Sequence, residues 1–132
     1  MPRVLIADDY APLRHALKTV LFGHDEWVVC GEAADGAQAM EMASDLKPDV
    51  ILLDFRMPEM NGLEAAGQIL RANPAVPVVL YTLGEHQPLE SKAKDLGVSR
   101  VISKGDLFCE LIFNLDELFG RALSPVGPLG IP

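Results

Sequence analysis

The sequence predicts an α/β domain built from five repeats of a strand followed by a helix, (βα)₅. Short runs rich in β-branched and apolar residues alternate with longer segments whose apolar residues have helical spacing. Gly, Pro or Asn residues separate most of these segments, as expected where strands and helices end. Such an alternation is typical of a parallel sheet covered by helices on both faces.

The predicted strands are short, and the third is apolar throughout. A continuous apolar run suits a central parallel strand that is buried on both faces better than an edge strand. The expected strands lie at residues 3–7, 27–31, 50–53, 76–81 and 101–103.

The predicted helices are bounded by residues that start or stop helices. Proline suits a first helical turn, and glycine or proline ends a helix. A short carboxylate before an apolar run can cap the amide groups of a first turn. The helices are expected from Pro12 to Gly23, from Asp35-Gly36 to Pro48, over 63–72, from Pro88 to Gly97, and from the cap Asp106 to Phe119.

The composition fits one globular domain. The chain has 132 residues, of which 49% are hydrophobic and 23% charged, which allows a full core without disulfides or a structural metal. Its formal net charge of -8 disfavours direct nucleic-acid binding, because duplex binding needs clustered Lys and Arg. We expect a domain over residues 1–122 and a Pro- and Gly-rich tail or linker stub over 123–132.

Cysteine usage predicts a cytoplasmic protein. Cys30 and Cys109 are far apart and belong to no CxxC pattern, so reduced thiols are favoured over a disulfide. The apolar stretches fall short of the roughly 20 residues of a membrane span. Because no hydrophobic signal segment precedes the first strand, we expect no membrane partner.

Four of the apolar runs end on polar groups that phosphoryl chemistry uses. Asp8-Asp9 follow the first strand, Asp54 the third, Thr82 ends the fourth and Lys104 follows the fifth. In open α/β sheets ligands lie outside the carboxyl ends of the strands. If these strands are neighbours, three carboxylates, a hydroxyl and an ammonium meet at one edge.

Each of these residues also has an ordinary structural interpretation. An isolated Asp at a strand end more often caps a helix or a turn. Taken alone, Thr82 suits a β-branched strand end and Lys104 a solvated surface. The combination favours a site. His15, His24 and His86 lack metal-ligand spacing and are interpreted as surface or loop residues.

The chain resembles response-regulator receiver domains over residues 3–119. The matching motifs have that family's order and separations: Asp8-Asp9, Asp54 followed by Met57-Pro58 and Asn61-Gly62, Thr82, and Lys104. The resemblance implies a flavodoxin-like sheet of order 2-1-3-4-5. It further implies a switch phosphorylated by a histidine kinase or phosphotransfer protein, which controls an effector domain or downstream protein and catalyses only its own phosphorylation and dephosphorylation.

The same resemblance assigns chemical roles. Asp54 is the phosphoacceptor, Thr82 binds a phosphoryl oxygen and Lys104 pairs with the phosphoryl group. A carboxylate that attacks an anionic phosphorus needs a cation to screen the repulsion, and Mg²⁺ or Mn²⁺ accepts oxygen ligands. The implied metal ligands are Asp8, Asp9, Asp54 and the main-chain carbonyl of Arg56.

Three positions depart from the family pattern. Leu83 stands where receivers usually have a small residue, so we hypothesise that it slows phosphoryl entry or hydrolysis at Asp54. Val101 replaces an aromatic residue whose rotation reports phosphorylation in many members. Gly105 replaces a proline that follows a cis bond, so we expect a trans bond after Lys104.

The last helix predicts an interaction surface. Its apolar residues span one broad arc that should face the sheet, whereas Phe113 lies well outside the arc. A solitary surface phenylalanine of no consequence is an equally good interpretation. We predict that Phe113, with Val101 nearby, contributes to a phosphorylation-dependent homodimer or an effector surface. The residues of the arc are Leu107, Phe108, Leu111, Ile112, Leu115, Leu118 and Phe119.

Two other functions compete with the switch. A haloacid-dehalogenase-like phosphatase needs an aspartate two residues after its nucleophile, and Arg56 occupies that position. A degenerate receiver that binds its partner constitutively would explain Leu83, Val101 and Gly105. The complete acidic set and Lys104 favour the switch.

Overall fold

The computed structural model describes residues 2–23, 27–83 and 87–118, and within them five parallel strands form one sheet. The strands are β1 (Arg3–Ala7), β2 (Val28–Ala33), β3 (Val50–Asp54), β4 (Val78–Thr82) and β5 (Arg100–Ser103). The helices are α1 (Ala11–Phe22), α2 (Gly36–Leu46), α3 (Gly62–Ala72), α4 (Gln87–Leu96) and α5 (Leu107–Leu118).

The strand order is β2-β1-β3-β4-β5, and every neighbouring pair is parallel. Both features confirm the predicted flavodoxin-like (βα)₅ sandwich. Because all strands run the same way, their carboxyl ends share one edge of the sheet. The register aligns those ends, since Ala7 pairs with Leu53 and Asp54 with Tyr81. The polar residues at these strand ends therefore lie at one level.

The sheet separates two apolar clusters, because successive strand residues point to opposite faces. On one face α2, α3 and α4 contribute Ala39, Ala66, Ile69, Leu70 and Ala93. On the other face α1 and α5 contribute Leu17, Leu21, Leu107, Leu111 and Leu115. The central strand β3 is buried along its whole length, as predicted.

The bounds of β3 and β5 differ from the prediction by one residue, and those of β2 and β4 by two residues at one end. β2 continues to Ala33, because that residue still pairs with Ala7 of β1 although the sequence has lost its β-branched character. β4 begins at Val78 rather than Val76. Pro77 has no amide hydrogen to donate to a ladder, so regular pairing starts after it.

The predicted apolar arc of α5 is partly wrong. Leu107, Leu111 and Leu115 are buried, but Phe108 is 42% exposed. Asn114 is buried instead, and it donates from Nδ2 to the Glu110 carbonyl at 2.8 Å. Because the Asn114 amide group has a hydrogen-bond partner within its own helix, it can be buried on the helix face that contacts the sheet.

Several predictions concern residues outside the described ranges. They include the tail at 123–132, Phe119, and the surface positions of His24 and His86. His15 lies exposed on α1, as predicted. Both cysteines are free thiols. Across residues 2–23, 27–83 and 87–118 no peptide bond is cis, and no helix combines the length and apolarity that a bilayer crossing requires.

Candidate functional site

Three carboxylates meet at the carboxyl edge of the sheet. One oxygen each from Asp8, Asp9 and Asp54 lies within 4.8 Å of the other two. Asp8 and Asp54 are buried, whereas Asp9 is exposed and opens the cluster to solvent. The sequence prediction that these acids converge is confirmed. A hard divalent cation accepts such an oxygen-only donor set.

Asp8 is fixed from two sides. Its Oδ1 accepts the backbone amide of Tyr10 at 2.9 Å, and its Oδ2 accepts the hydroxyl of Tyr81 at 2.8 Å. Burial raises the pKa of the Tyr81 phenol well above its ordinary value, so the phenol remains protonated and donates. Each oxygen of this buried carboxylate therefore has a donor, as a buried charge requires.

Arg14 links the backbone of Asp8, which follows β1, to Glu32 of β2. Its guanidinium donates to the Asp8 carbonyl at 2.6 Å and forms an ion pair with Glu32 of β2 at 3.1 Å. Lys18 approaches the same Glu32 carboxylate at 2.8 Å, and its hydrogen bond is the main cause that lowers the Glu32 pKa. These cations neutralise part of the negative charge that gathers around β1 and β2.

Asp54 sits between an ammonium and a backbone amide. Lys104 Nζ lies 3.2 Å from Oδ2, and the Arg56 amide donates to Oδ1 at 3.3 Å. Burial raises the pKa of the Asp54 carboxyl to about 6, the nearby charge of Asp8 adds to the shift, and Lys104 opposes it. Near neutral pH this carboxylate is therefore ionised but poorly solvated.

Thr82 and Lys104 flank Asp54 on the side of β4 and β5. Thr82 is buried at the end of β4, and its carbonyl accepts the Lys104 amide at 2.8 Å. Lys104 Nζ also lies 5.8 Å from the centre of the Tyr81 ring. The sheet therefore brings all the strand-end groups predicted from the sequence to one edge.

The loop after Asp54 returns closely over that residue. A Cβ atom on Gly62 would lie 2.2 Å from the Asp54 carbonyl oxygen, so only glycine fits. Asn61 and Glu64 form a capping box that starts α3 at this point. The Asn61-Gly62 pair thus has a mechanical role, because it lets a helix begin against the backbone of Asp54. Arg56 itself is exposed.

The three departures from the family pattern have different surroundings. Leu83 is 69% exposed directly after Thr82. Val101 is half-buried and packs against the cluster shared with α2, α3 and α4. The bond between Lys104 and Gly105 is trans. The effects of these residues on phosphorylation stay predictions.

Tyr81 and Arg14 belong to the surroundings of the site, although the sequence alone does not predict them. Tyr81 reads as one more aromatic residue of a strand, and Arg14 as one more charge on a helix. A tyrosine directly before the threonine that ends a strand is a signal that such a phenol lies near the site. The partner of its hydroxyl, however, depends on strand order and register.

The fold and the site define a class of protein: a doubly wound α/β domain with an acidic cluster and a lysine at the carboxyl edge of its sheet. The family model described as "Response regulator receiver domain" matches residues 4–112. The chain belongs to this family.

Among its relatives, the response regulator GacA of Pseudomonas viridiflava is 34% identical over 127 residues, with 95% of this chain and 59% of the relative covered. A protein-glutamate methylesterase/protein-glutamine glutaminase of Pyrococcus abyssi is 43% identical over 94% of this chain and 33% of its own length. The response regulator domain of Thermotoga maritima CheB has a TM-score of 0.80 at 33% identity, with 94% of this chain and 97% of that chain covered. The chain thus spans little more than half of the first relative's length.

Proposed function

We propose that this domain is a phosphorylation-dependent switch in which Asp54 accepts a phosphoryl group. One observation carries the proposal: the buried Asp54 carboxylate lies 3.2 Å from the Lys104 ammonium and shares a 4.8 Å cluster with Asp8 and Asp9. A lone structural ion pair needs no further carboxylates beside it. Two more acids at this spot cost electrostatic free energy unless a cation offsets their repulsion.

The reaction is a transfer of the phosphoryl group between two nucleophiles. An Asp54 carboxylate oxygen forms a bond to phosphorus while the bond from phosphorus to the donor breaks, and the donor leaves with the electron pair. Lys104 neutralises charge on the phosphoryl oxygens, and the Thr82 hydroxyl donates to one of them. Asp8, Asp9, Asp54 and the Arg56 carbonyl would hold Mg²⁺ or Mn²⁺, which supplies screening between the carboxylate and the phosphoryl group.

The result of the transfer is a change in binding rather than turnover of a metabolite. A phosphoryl group adds negative charge beside Thr82 and Lys104, at the ends of β4 and β5. That charge biases an equilibrium between two arrangements of the loops that follow these strands. The phosphoryl donor is a histidine kinase or a phosphotransfer protein, in the cytoplasm. The recipient of the signal is an effector domain or a downstream protein.

The proposal is tested by intact-mass spectrometry after incubation with Mg²⁺ and acetyl phosphate. We expect the wild-type protein to gain one phosphoryl group, and the gain to disappear in Asp54→Asn and when EDTA replaces Mg²⁺. Asp45→Asn is the matched control, because Asp45 is an exposed aspartate of α2. A wild-type protein that gains no phosphoryl group would overturn the proposal and favour a receiver that binds constitutively.

A further inference from the structure

The Tyr81 side chain contacts two groups of the strand-end site, the Asp8 carboxylate and the Lys104 ammonium. It is fully buried in the cluster formed with α1 and α5. Its hydroxyl donates to Asp8 Oδ2 at 2.8 Å, and its ring lies 5.8 Å from Lys104 Nζ. Asp8 follows β1 and Lys104 follows β5, on opposite sides of Asp54 in the sheet. A single side chain therefore reaches across the site.

The hydroxyl of Tyr81 fixes which way the Asp8 carboxylate points. The Tyr10 amide holds Oδ1 alone, and a single hydrogen bond leaves a carboxylate free to rotate about its Cβ–Cγ bond. The second hydrogen bond comes from Tyr81 on β4 and goes to the other oxygen, whereas Tyr10 is the residue that precedes α1. Two donors on separate elements fix the plane of the Asp8 carboxylate. They thereby fix the direction of the oxygen lone pairs that are available to a cation shared with Asp9 and Asp54.

The ring of Tyr81 limits where Lys104 can place its charge. Lysine has a flexible four-carbon stem and loses conformational freedom when it is held. An ammonium over an aromatic face is attracted by the ring quadrupole, which favours this position of Nζ. The same position lies within 3.2 Å of Asp54 Oδ2.

We infer that Tyr81 is a positioning residue of the cation site: its hydroxyl holds Asp8 in the orientation that a divalent cation requires. The inference rests on the proposed function, because it assumes that Asp8, Asp9 and Asp54 hold the cation. Hydrogen-bond donors behind metal-binding carboxylates and histidines commonly set metal affinity in this way.

The first test measures Mg²⁺ binding by isothermal titration calorimetry, at one pH and without any phosphodonor. Tyr81→Phe removes the hydroxyl and keeps the ring. We expect its Mg²⁺ affinity to fall by about 10-fold or more, in line with losses for other residues behind metal ligands. Thr19→Val is the control, because it removes a hydroxyl that donates only to a carbonyl of α1. An affinity in Tyr81→Phe equal to or tighter than wild type would overturn the inference.

The second test needs no substitution at Tyr81. Incorporated 3-fluorotyrosine gives two fluorine resonances, from Tyr10 and Tyr81, since the chain has two tyrosines. We expect the Tyr81 resonance to shift on Mg²⁺ addition with the midpoint of the calorimetric titration. A Tyr81 resonance that is unchanged at saturating Mg²⁺ contradicts the inference, even if Tyr81→Phe proves too unstable to titrate.

The outcomes separate the inference from the proposed function. If wild-type protein binds Mg²⁺ and Asp9→Asn abolishes the binding, the cation site stands whatever Tyr81 does. If wild-type protein binds no Mg²⁺ at all, the proposed function fails first and the Tyr81 inference fails with it.

Discussion

At the scale of single residues, the central feature is a carboxyl group kept in an unfavourable place. Asp54 is buried beside Asp8, and burial more than the neighbouring charge raises its pKa to about 6. The ion pair with Lys104 offsets only part of that cost. The ionised Asp54 carboxylate therefore lowers the stability of the folded domain, because it is poorly solvated at the carboxyl edge of the sheet.

The raised pKa predicts a pH-dependent stability. For a carboxyl group whose pKa is higher in the folded than in the unfolded state, the folded state binds more protons between the two values. The stabilisation is complete below the ordinary pKa of 3.8 and is lost as the pH rises through about 6. Asp54→Asn, which stays neutral, should be more stable than wild type at pH 8 by on the order of 2 kcal/mol. The two proteins should differ little near pH 4.

Urea unfolding at both pH values, in EDTA, measures this difference. Asp45→Asn serves as the control for the loss of one negative charge from an exposed position. An Asp54→Asn variant that is less stable than wild type at pH 8 would show that the Lys104 ion pair outweighs the burial cost.

At the scale of elements, α3 is attached unusually closely to the strand that carries Asp54. Its first residue, Gly62, has no room for a Cβ atom beside the Asp54 carbonyl. The capping box of Asn61 and Glu64 satisfies the amides at the same helix end. The start of α3 and the backbone of Asp54 therefore hold each other in place.

Two glycines of α3 give a matched comparison. Gly62→Ala should destabilise the protein by more than about 2 kcal/mol, because a Cβ atom would overlap backbone that cannot move away cheaply. At Gly67 the nearest neighbour of a Cβ atom is a Leu96 methyl group at 3.6 Å, an ordinary contact. Gly67→Ala should stabilise the helix by about 0.5–1 kcal/mol. Thermal unfolding followed by circular dichroism measures both, and equal effects of the two substitutions would contradict the close-approach argument.

At the scale of the whole molecule, α5 carries two phenylalanines that the core does not bury, on different faces of the helix. Phe113 is 53% exposed, as predicted from the helical wheel, and Phe108 is exposed as well. Val101 is half-buried on β5, but its side chain packs with the cluster of α2, α3 and α4, on the sheet face opposite α5. A role of Phe113 and Val101 in association remains a prediction.

Sedimentation of the phosphorylated protein tests whether Phe113 contributes to self-association. Phe113→Glu should weaken self-association of the phosphorylated form by at least 10-fold in the dimer constant, because a charge replaces an apolar contact. Phe22→Glu is the control, since Phe22 is a still more exposed phenylalanine, on α1. Unchanged association after Phe113→Glu would remove the surface from consideration.

The strand-end site could be predicted from the sequence because its members lie where apolar runs stop. Asp8, Asp54 and Lys104 need only the assumption that the strands are parallel neighbours, which the alternating pattern supports. The contact between Tyr81 and Asp8 joins residues 73 positions apart. It depends on strand order and on the face that each side chain occupies, and periodicity gives neither.

The errors in the predicted burial of α5 residues have a similar origin. Phe108 belongs to the predicted apolar arc, but it lies in the first turn of α5, where it is exposed. Asn114 enters the buried face because Glu110 and Arg100 bond its amide group. Polarity alone predicts neither position, because burial there is decided by local partners.

The position of the phosphoryl group tests the role of Asp54 most directly. Protein treated with acetyl phosphate and Mg²⁺ is reduced with borohydride, which converts an aspartyl phosphate to homoserine, and its peptides are sequenced by mass spectrometry. We expect homoserine at position 54, with Asp8, Asp9 and Asp45 unmodified. Homoserine at another aspartate, with Asp54 intact, would contradict it.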